Sequence, residues 1–142
     1  MTLSLPLAAS IGDPAGVGPE LLCAAWALSG AEALPPFFVV GSRALLEQAA
    51  RRRGIEVPVR AIASPAEAVE VYDTALPVID LGDVPYTPGE PDDAGAALAL
   101  RALETATGLA RSGAAAGIVT GPIAKSRLAA IGFRQPGQTE FV

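Results

Sequence analysis

A chain of 142 residues with net charge −5, 51% hydrophobic residues and mean hydropathy +0.41 can bury the core of one domain, which excludes intrinsic disorder. No apolar run free of Pro, Gly or charge reaches the roughly 18 residues of a membrane span. The acidic balance speaks against nucleic acid as a partner, and Met1–Ser10 is apolar without the Lys or Arg of a secretory leader. A single cysteine, Cys23, rules out a disulfide within the chain and makes a cytoplasmic location the expectation.

Short β-like runs alternate with helical stretches, the pattern of an α/β sheet covered by helices. Leu3 to Ile11 is expected as the first strand, with Pro19 in the first turn of a helix reaching about Leu28. Phe37 to Val40 is a second strand closed by Gly41, after which Ser42 caps a helix to Arg53 and Gly54 ends it. The cluster Arg51-Arg52-Arg53 then falls in a last helical turn, where cations complement the dipole. Val57 to Ile62 is a third strand, and Ser64-Pro65 starts a short helix whose apolar face is Ala68, Val69 and Tyr72. Val78 to Leu81 is a fourth strand.

Gly82 to Pro91 holds three prolines and two glycines and can only be an extended loop, long enough to suggest a function. Asp92 and Asp93 suit the start of the longest helix, which runs to about Ser112. Leu98, Ala102, Ala106 and Leu109, widened by Leu103 and Ala110, give it one stripe to lay on the sheet. Gly113 stops it. Ala116 to Val119 is expected as a central fifth strand, followed by a short helix over Lys125 to Ile131 and a terminal loop. Cys23, among Leu21, Leu22, Ala24 and Ala25, belongs to the core.

Two loops could carry chemistry. The first, Gly12-Asp13-Pro14-Ala15-Gly16-Val17-Gly18-Pro19-Glu20, joins a strand to a helix but has neither the P-loop nor the dinucleotide-fingerprint spacing. Asp13 and Glu20 put negative charge where a phosphate would sit, so the loop is either a tight turn or a border of the site. The second follows the fifth strand: Thr120-Gly121-Pro122-Ile123-Ala124-Lys125, then Gly132 to Phe141. α/β enzymes hold their ligands just beyond strand ends of this kind. Lys125, a cation near a helix start, points to an anionic partner unless it is merely solvated. Gln138 and Thr139 donate and accept hydrogen bonds beside Gly137, where a ligand can come close, although alone they would read as a surface turn. With no histidine, any imidazole base or histidine-held metal must come from outside these residues.

Taken together, the Gly12–Glu20 loop, Thr120-Gly121-Pro122-Ile123-x-Lys125 and Gly132-Phe133-x-x-Pro136-Gly137-x-Thr139-Glu140-Phe141 resemble the 4-hydroxythreonine-4-phosphate dehydrogenases of pyridoxal phosphate biosynthesis. The three motifs recur in the right order over almost the whole chain. The resemblance implies a three-layer sheet flanked by helices of the isocitrate and isopropylmalate dehydrogenase type. Residues 1–142 would form the N-terminal portion, the first domain of two. It also implies an NAD(P)-dependent oxidation of 4-phosphooxy-L-threonine, decarboxylation to 3-amino-2-oxopropyl phosphate, a divalent metal (zinc, magnesium or cobalt), and a homodimer with shared active sites.

In that family a His-Thr pair grips the substrate, and it aligns with Gln138 and Thr139, so glutamine stands here in place of histidine. Glutamine can hydrogen-bond the substrate but cannot carry a proton. The family's three metal-binding histidines fall beyond the position matching Val142, so the chain by itself is expected to be inactive, with no metal site and no catalytic residue of its own. Gln138 leaves room for a paralogue acting on another phosphorylated hydroxy acid, a phosphoerythronate or phosphothreonate. A non-catalytic module and an acyl or phosphate transferase on a similar fold are the other readings.

Overall fold

The computed structural model describes residues 5–32 and 35–121. Nine elements alternate along them: β1 (Leu7–Ser10), α1 (Gly18–Glu32), β2 (Phe37–Gly41), α2 (Arg43–Arg53), β3 (Val59–Ala61), α3 (Pro65–Val71), β4 (Leu76–Asp80), α4 (Asp93–Arg111) and β5 (Ile118–Thr120). Every strand pairing is parallel, in the order β3-β4-β2-β1-β5. The chain moves outward from β1 through β2 to β3, turns back to β4, and only then crosses to the far side of β1. Right-handed crossovers in these two directions place α1 and α2 on one face and α3 and α4 on the other. In keeping with that, α1 packs on α2, while α4 lies over β1, β2 and β5.

Local chemistry accounts for the element ends. The Ser42 hydroxyl accepts from the Leu45 N–H, and Gly54 closes α2 at φ 74° with its N–H on the Ala50 and Arg51 carbonyls. Asp92 caps α4 by accepting from the Gly95 N–H at 2.7 Å. Glu67 in the first turn of α3 accepts from the backbone of Ala63 and Ser64. Apolar residues then fix how the layers meet. β2 is buried along its whole length, as a strand covered on both faces must be. The expected stripe of α4 lies against the sheet with Leu98, Ala102, Leu103 and Ala106 buried.

Several boundaries differ from the sequence reading, each for a physical reason. α1 runs through Ser29 and Gly30, one turn past the expected end at Leu28, with the Ser29 hydroxyl folded back onto the Trp26 carbonyl. β3 is shorter than Val57 to Ile62 because it is an edge strand with β4 as its one partner. β4 begins at Leu76 rather than Val78 and so contains Pro77. Leu76 N–H and the Val78 carbonyl both bond toward β3, at 2.8 Å each, so the donor that Pro77 lacks would have faced β2 below the first paired rung, Val39 with Val78. On α3 the buried positions are Pro65, Ala68 and Val71, with Val69 only half-buried.

The fifth strand shows the largest difference. It spans Ile118–Thr120 instead of Ala116 to Val119, and among the described residues it is an edge, not a central strand. An apolar run reads as buried on both sides, yet Val119 is 47% exposed. The expected helix at Lys125 to Ile131 lies outside the described residues.

Candidate functional site

The carboxyl ends of β1, β2, β4 and β5 lie along one edge of the sheet, and the described loops that leave β1, β2 and β4, with Gly121 after β5, form the candidate site. Ser10 pairs with Thr120 across β1 and β5, whose neighbouring connections pass over opposite faces. α1 leaves β1 over one face, while α4 enters β5 over the other. Gly12 turns the chain out of β1 at φ 76°, a conformation that favours glycine. Asp13 then closes a tight turn: its carbonyl accepts from the Gly16 N–H at 2.9 Å, and its Oδ1 from the Ala15 N–H at 2.9 Å. The side chain is 5% exposed, and among the described residues its Oδ2 has no partner.

Glycine at three positions lets the backbones close up. A Cβ on Gly41 would fall 2.7 Å from the Ile11 side chain, and one on Gly121 would fall 2.8 Å from the Ile11 carbonyl oxygen and 2.9 Å from the Gly12 nitrogen. The Gly121 N–H donates to the Ser10 carbonyl at 3.1 Å. A Cβ on Gly95 would press on Pro14 at 3.2 Å, so the first turn of α4 sits directly against the loop after β1. These glycines bring the exits of β1, β2 and β5 and the start of α4 into one compact floor.

The loop Gly82–Pro91 is stitched over this floor at three points. The Ser42 hydroxyl donates to Asp83 Oδ1 at 3.2 Å, the Tyr86 hydroxyl donates to Glu20 Oε1 at 3.2 Å, and the Gly89 N–H donates to the Ala15 carbonyl at 2.8 Å. Glu20 also pairs with Arg52, through the same Oε1 at 3.2 Å, and with Arg53 through Oε2 at 3.7 Å. The basic cluster at the end of α2 therefore has a partner besides the dipole. Burial, and then the Glu20 carboxylate, raise the Tyr86 pKa, which keeps its hydroxyl a donor. Cys23 is buried, its thiol donates to the Leu46 carbonyl at 3.3 Å, and burial followed by Glu20 pushes its pKa up to about 11. It is a core residue, not a nucleophile.

The Gly12–Glu20 loop is a tight turn at the carboxyl end of β1. The stitches to residues 82–91 join segments more than 40 positions apart, and no local pattern announces them. Thr120 is exposed at the end of β5 and Gly121 lies on the floor. Lys125, Gln138 and Thr139, the expected substrate ligands, lie outside the described residues.

The cofactors implied by the resemblance fit this floor poorly. Among the described residues no three of His, Cys, Asp and Glu converge on a possible metal, and the chain has no histidine. The buried Asp13 carboxylate at the start of α1 opposes a dinucleotide pyrophosphate there.

The fold defines a class: a doubly wound parallel α/β domain, of the kind that holds small ligands at the carboxyl ends of its strands. Residues 33–142 match the family described as "Pyridoxal phosphate biosynthetic protein PdxA". Over 137 residues the chain is 49% identical to the 4-hydroxythreonine-4-phosphate dehydrogenase of Erythrobacter litoralis, covering 96% of this chain and 41% of that protein. Over 140 residues it is 47% identical to the one of Methylorubrum populi, covering 96% and 40%. The crystal structure of a 4-hydroxythreonine-4-phosphate dehydrogenase from Burkholderia phymatum superposes with a TM-score of 0.89 at 31% identity, over 98% of this chain and 42% of that one. The chain belongs to the PdxA family, and it spans about two fifths of the length of these relatives.

Proposed function

We propose that this chain is the N-terminal portion of an oxidoreductase that oxidises 4-phosphooxy-L-threonine with NAD(P), with decarboxylation to 3-amino-2-oxopropyl phosphate, in pyridoxine and pyridoxal phosphate biosynthesis. The observation that carries this reading is the 49% identity, over 96% of the chain, to a relative named for that dehydrogenase. In sheets of this kind a small ligand sits at the carboxyl ends of the strands, here beside β1 and β5. In this reading Thr139 and Gln138 hold the substrate, with Lys125 a neighbour on its anionic side. The divalent metal and most cofactor contacts come from the polypeptide that the relatives carry beyond the matched stretch. The working protein is a cytoplasmic homodimer with shared active sites, and residues 1–142 alone are inactive.

The test is kinetic, in a polypeptide of family length that carries this stretch. Thr139→Ala removes a hydrogen bond to a charged group, worth about 1.5–3 kcal/mol, and should lower kcat/KM for the phosphorylated substrate by about 10- to 150-fold. Fold and NAD affinity should stay nearly intact. Unchanged kinetics, or a loss explained by unfolding in circular dichroism, would return Thr139 to a surface turn.

A further inference from the structure

We propose that residues 82–91 are a strap that opens and closes as one body over the loop after β1, with the Tyr86–Glu20 hydrogen bond as its latch. The proposal rests on the described geometry and not on the choice of substrate. A glycine with positive φ stands near each end of the segment, Gly82 at 117° and Gly89 at 81°. Glycine crosses between backbone conformations more readily than any other residue, so both are fit to serve as hinges. Between them the chain has neither helix nor strand. Val84 and Tyr86 pack against the core, while Pro85 between them is exposed. The rest of the hold is the three stitches to Ser42, Glu20 and Ala15. Segments with so few buried contacts open well before the fold does, and lids are drawn from them.

Each stitch can let go without stranding its partner. When Tyr86 leaves, the Glu20 carboxylate keeps Arg52 at 3.2 Å and Arg53 at 3.7 Å. When Asp83 leaves, the Ser42 hydroxyl still accepts from the Leu45 N–H at 3.3 Å, and Asp83 is already exposed. Gly89 is exposed as well, so water can replace the Ala15 carbonyl on its N–H. A hydrogen bond is expensive to break when a buried group is left unpaired, and none of these three leaves one. Closure also carries a penalty of its own. Asp13, two residues before Ala15, is 5% exposed, and among the described residues its Oδ2 has no partner. A buried carboxylate oxygen without a donor is costly, and opening relieves that cost by admitting water. The closed and open states therefore lie close in free energy, and the latch decides between them.

Amide exchange of the 142-residue chain at low denaturant concentrations tests this, read at the Gly89 N–H, which donates to Ala15 when the strap is closed. Gly89 should exchange faster than the amides of β2 and with a weaker dependence on denaturant, the mark of an opening short of global unfolding. Tyr86→Phe and Asp83→Ala each remove a stitch that Gly89 does not share. If the strap moves as one body, each should still speed exchange at Gly89 by about two- to fivefold, and the double variant by about the product. Asp13→Asn keeps the Oδ1 acceptor for the Ala15 N–H but drops the buried charge, so it should slow exchange at Gly89. Should Tyr86→Phe misfold, Asp83→Ala and Asp13→Asn with their opposite signs decide alone. The proposal is overturned if Gly89 exchanges with the same denaturant dependence as β2, if neither stitch variant moves it, or if Asp13→Asn speeds it.

Discussion

At the scale of single residues, the site floor depends on where side chains are missing. Gly121 meets Ile11 and Gly12 backbone to backbone, and a methyl group there would fall 2.8 Å from a carbonyl oxygen that cannot swing aside. Gly121→Ala should therefore cost about 1–3 kcal/mol in denaturant unfolding, the usual penalty for overpacking. An unchanged midpoint would mean that β5 does not hold its register against β1. Cys23 makes the opposite point, since a full side chain is hidden there. Because its pKa is raised from 9.0 to about 11, the folded state favours the thiol. The stability linked to that thiol is complete below about pH 9 and is lost as the pH rises toward 11. At pH 8 the native chain should react with a disulfide reagent only at the rate of opening, and fast in guanidinium. Fast reaction of the native chain would show that the α1–α2 contact is open.

Among elements, the loop between β4 and α4 is held by side chains rather than by regular structure. Tyr86 ties it to Glu20 at the start of α1, and Glu20 in turn bridges to the end of α2. Arg52 and Arg53 are more than half exposed, so those ion pairs contribute little. The half-buried hydroxyl-to-carboxylate bond contributes more. Tyr86→Phe should lower unfolding stability by about 1 kcal/mol and speed amide exchange in residues 82–91 more than in β2. Equal exchange in both proteins would mean that Asp83 and Gly89 suffice to hold the loop.

For the molecule as a whole, the described residues build a parallel sheet covered on both faces, without a converging set of metal ligands. It has no histidine, and among the described residues no trio of acidic or cysteine ligands converges. Calorimetric titration of the 142-residue chain with zinc or magnesium should therefore show no stoichiometric binding at micromolar concentrations. A one-to-one isotherm would place a metal site in this stretch and contradict the division of labour proposed above.

The sequence by itself determined the alternation of elements and most of their ends, because these follow from chemistry within a few positions. Ser42, Gly54 and Asp92 stop or start helices through their own backbone or side-chain bonds, and the α4 stripe needs nothing but a period of 3.6. The family was legible too, since its motifs are short and ordered along the chain. What tertiary structure alone decided is which strand lies beside which. Among the described residues the order β3-β4-β2-β1-β5 put Ile118–Thr120 at an edge, although its apolar residues read as central, and let Pro77 enter β4 where one rung was dispensable. It also brought Gly121 onto Ile11, Pro14 onto Gly95 and Tyr86 onto Glu20. Each of these contacts joins distant segments, and its energy depends on the space left between them when the layers close, which no local pattern of residues records.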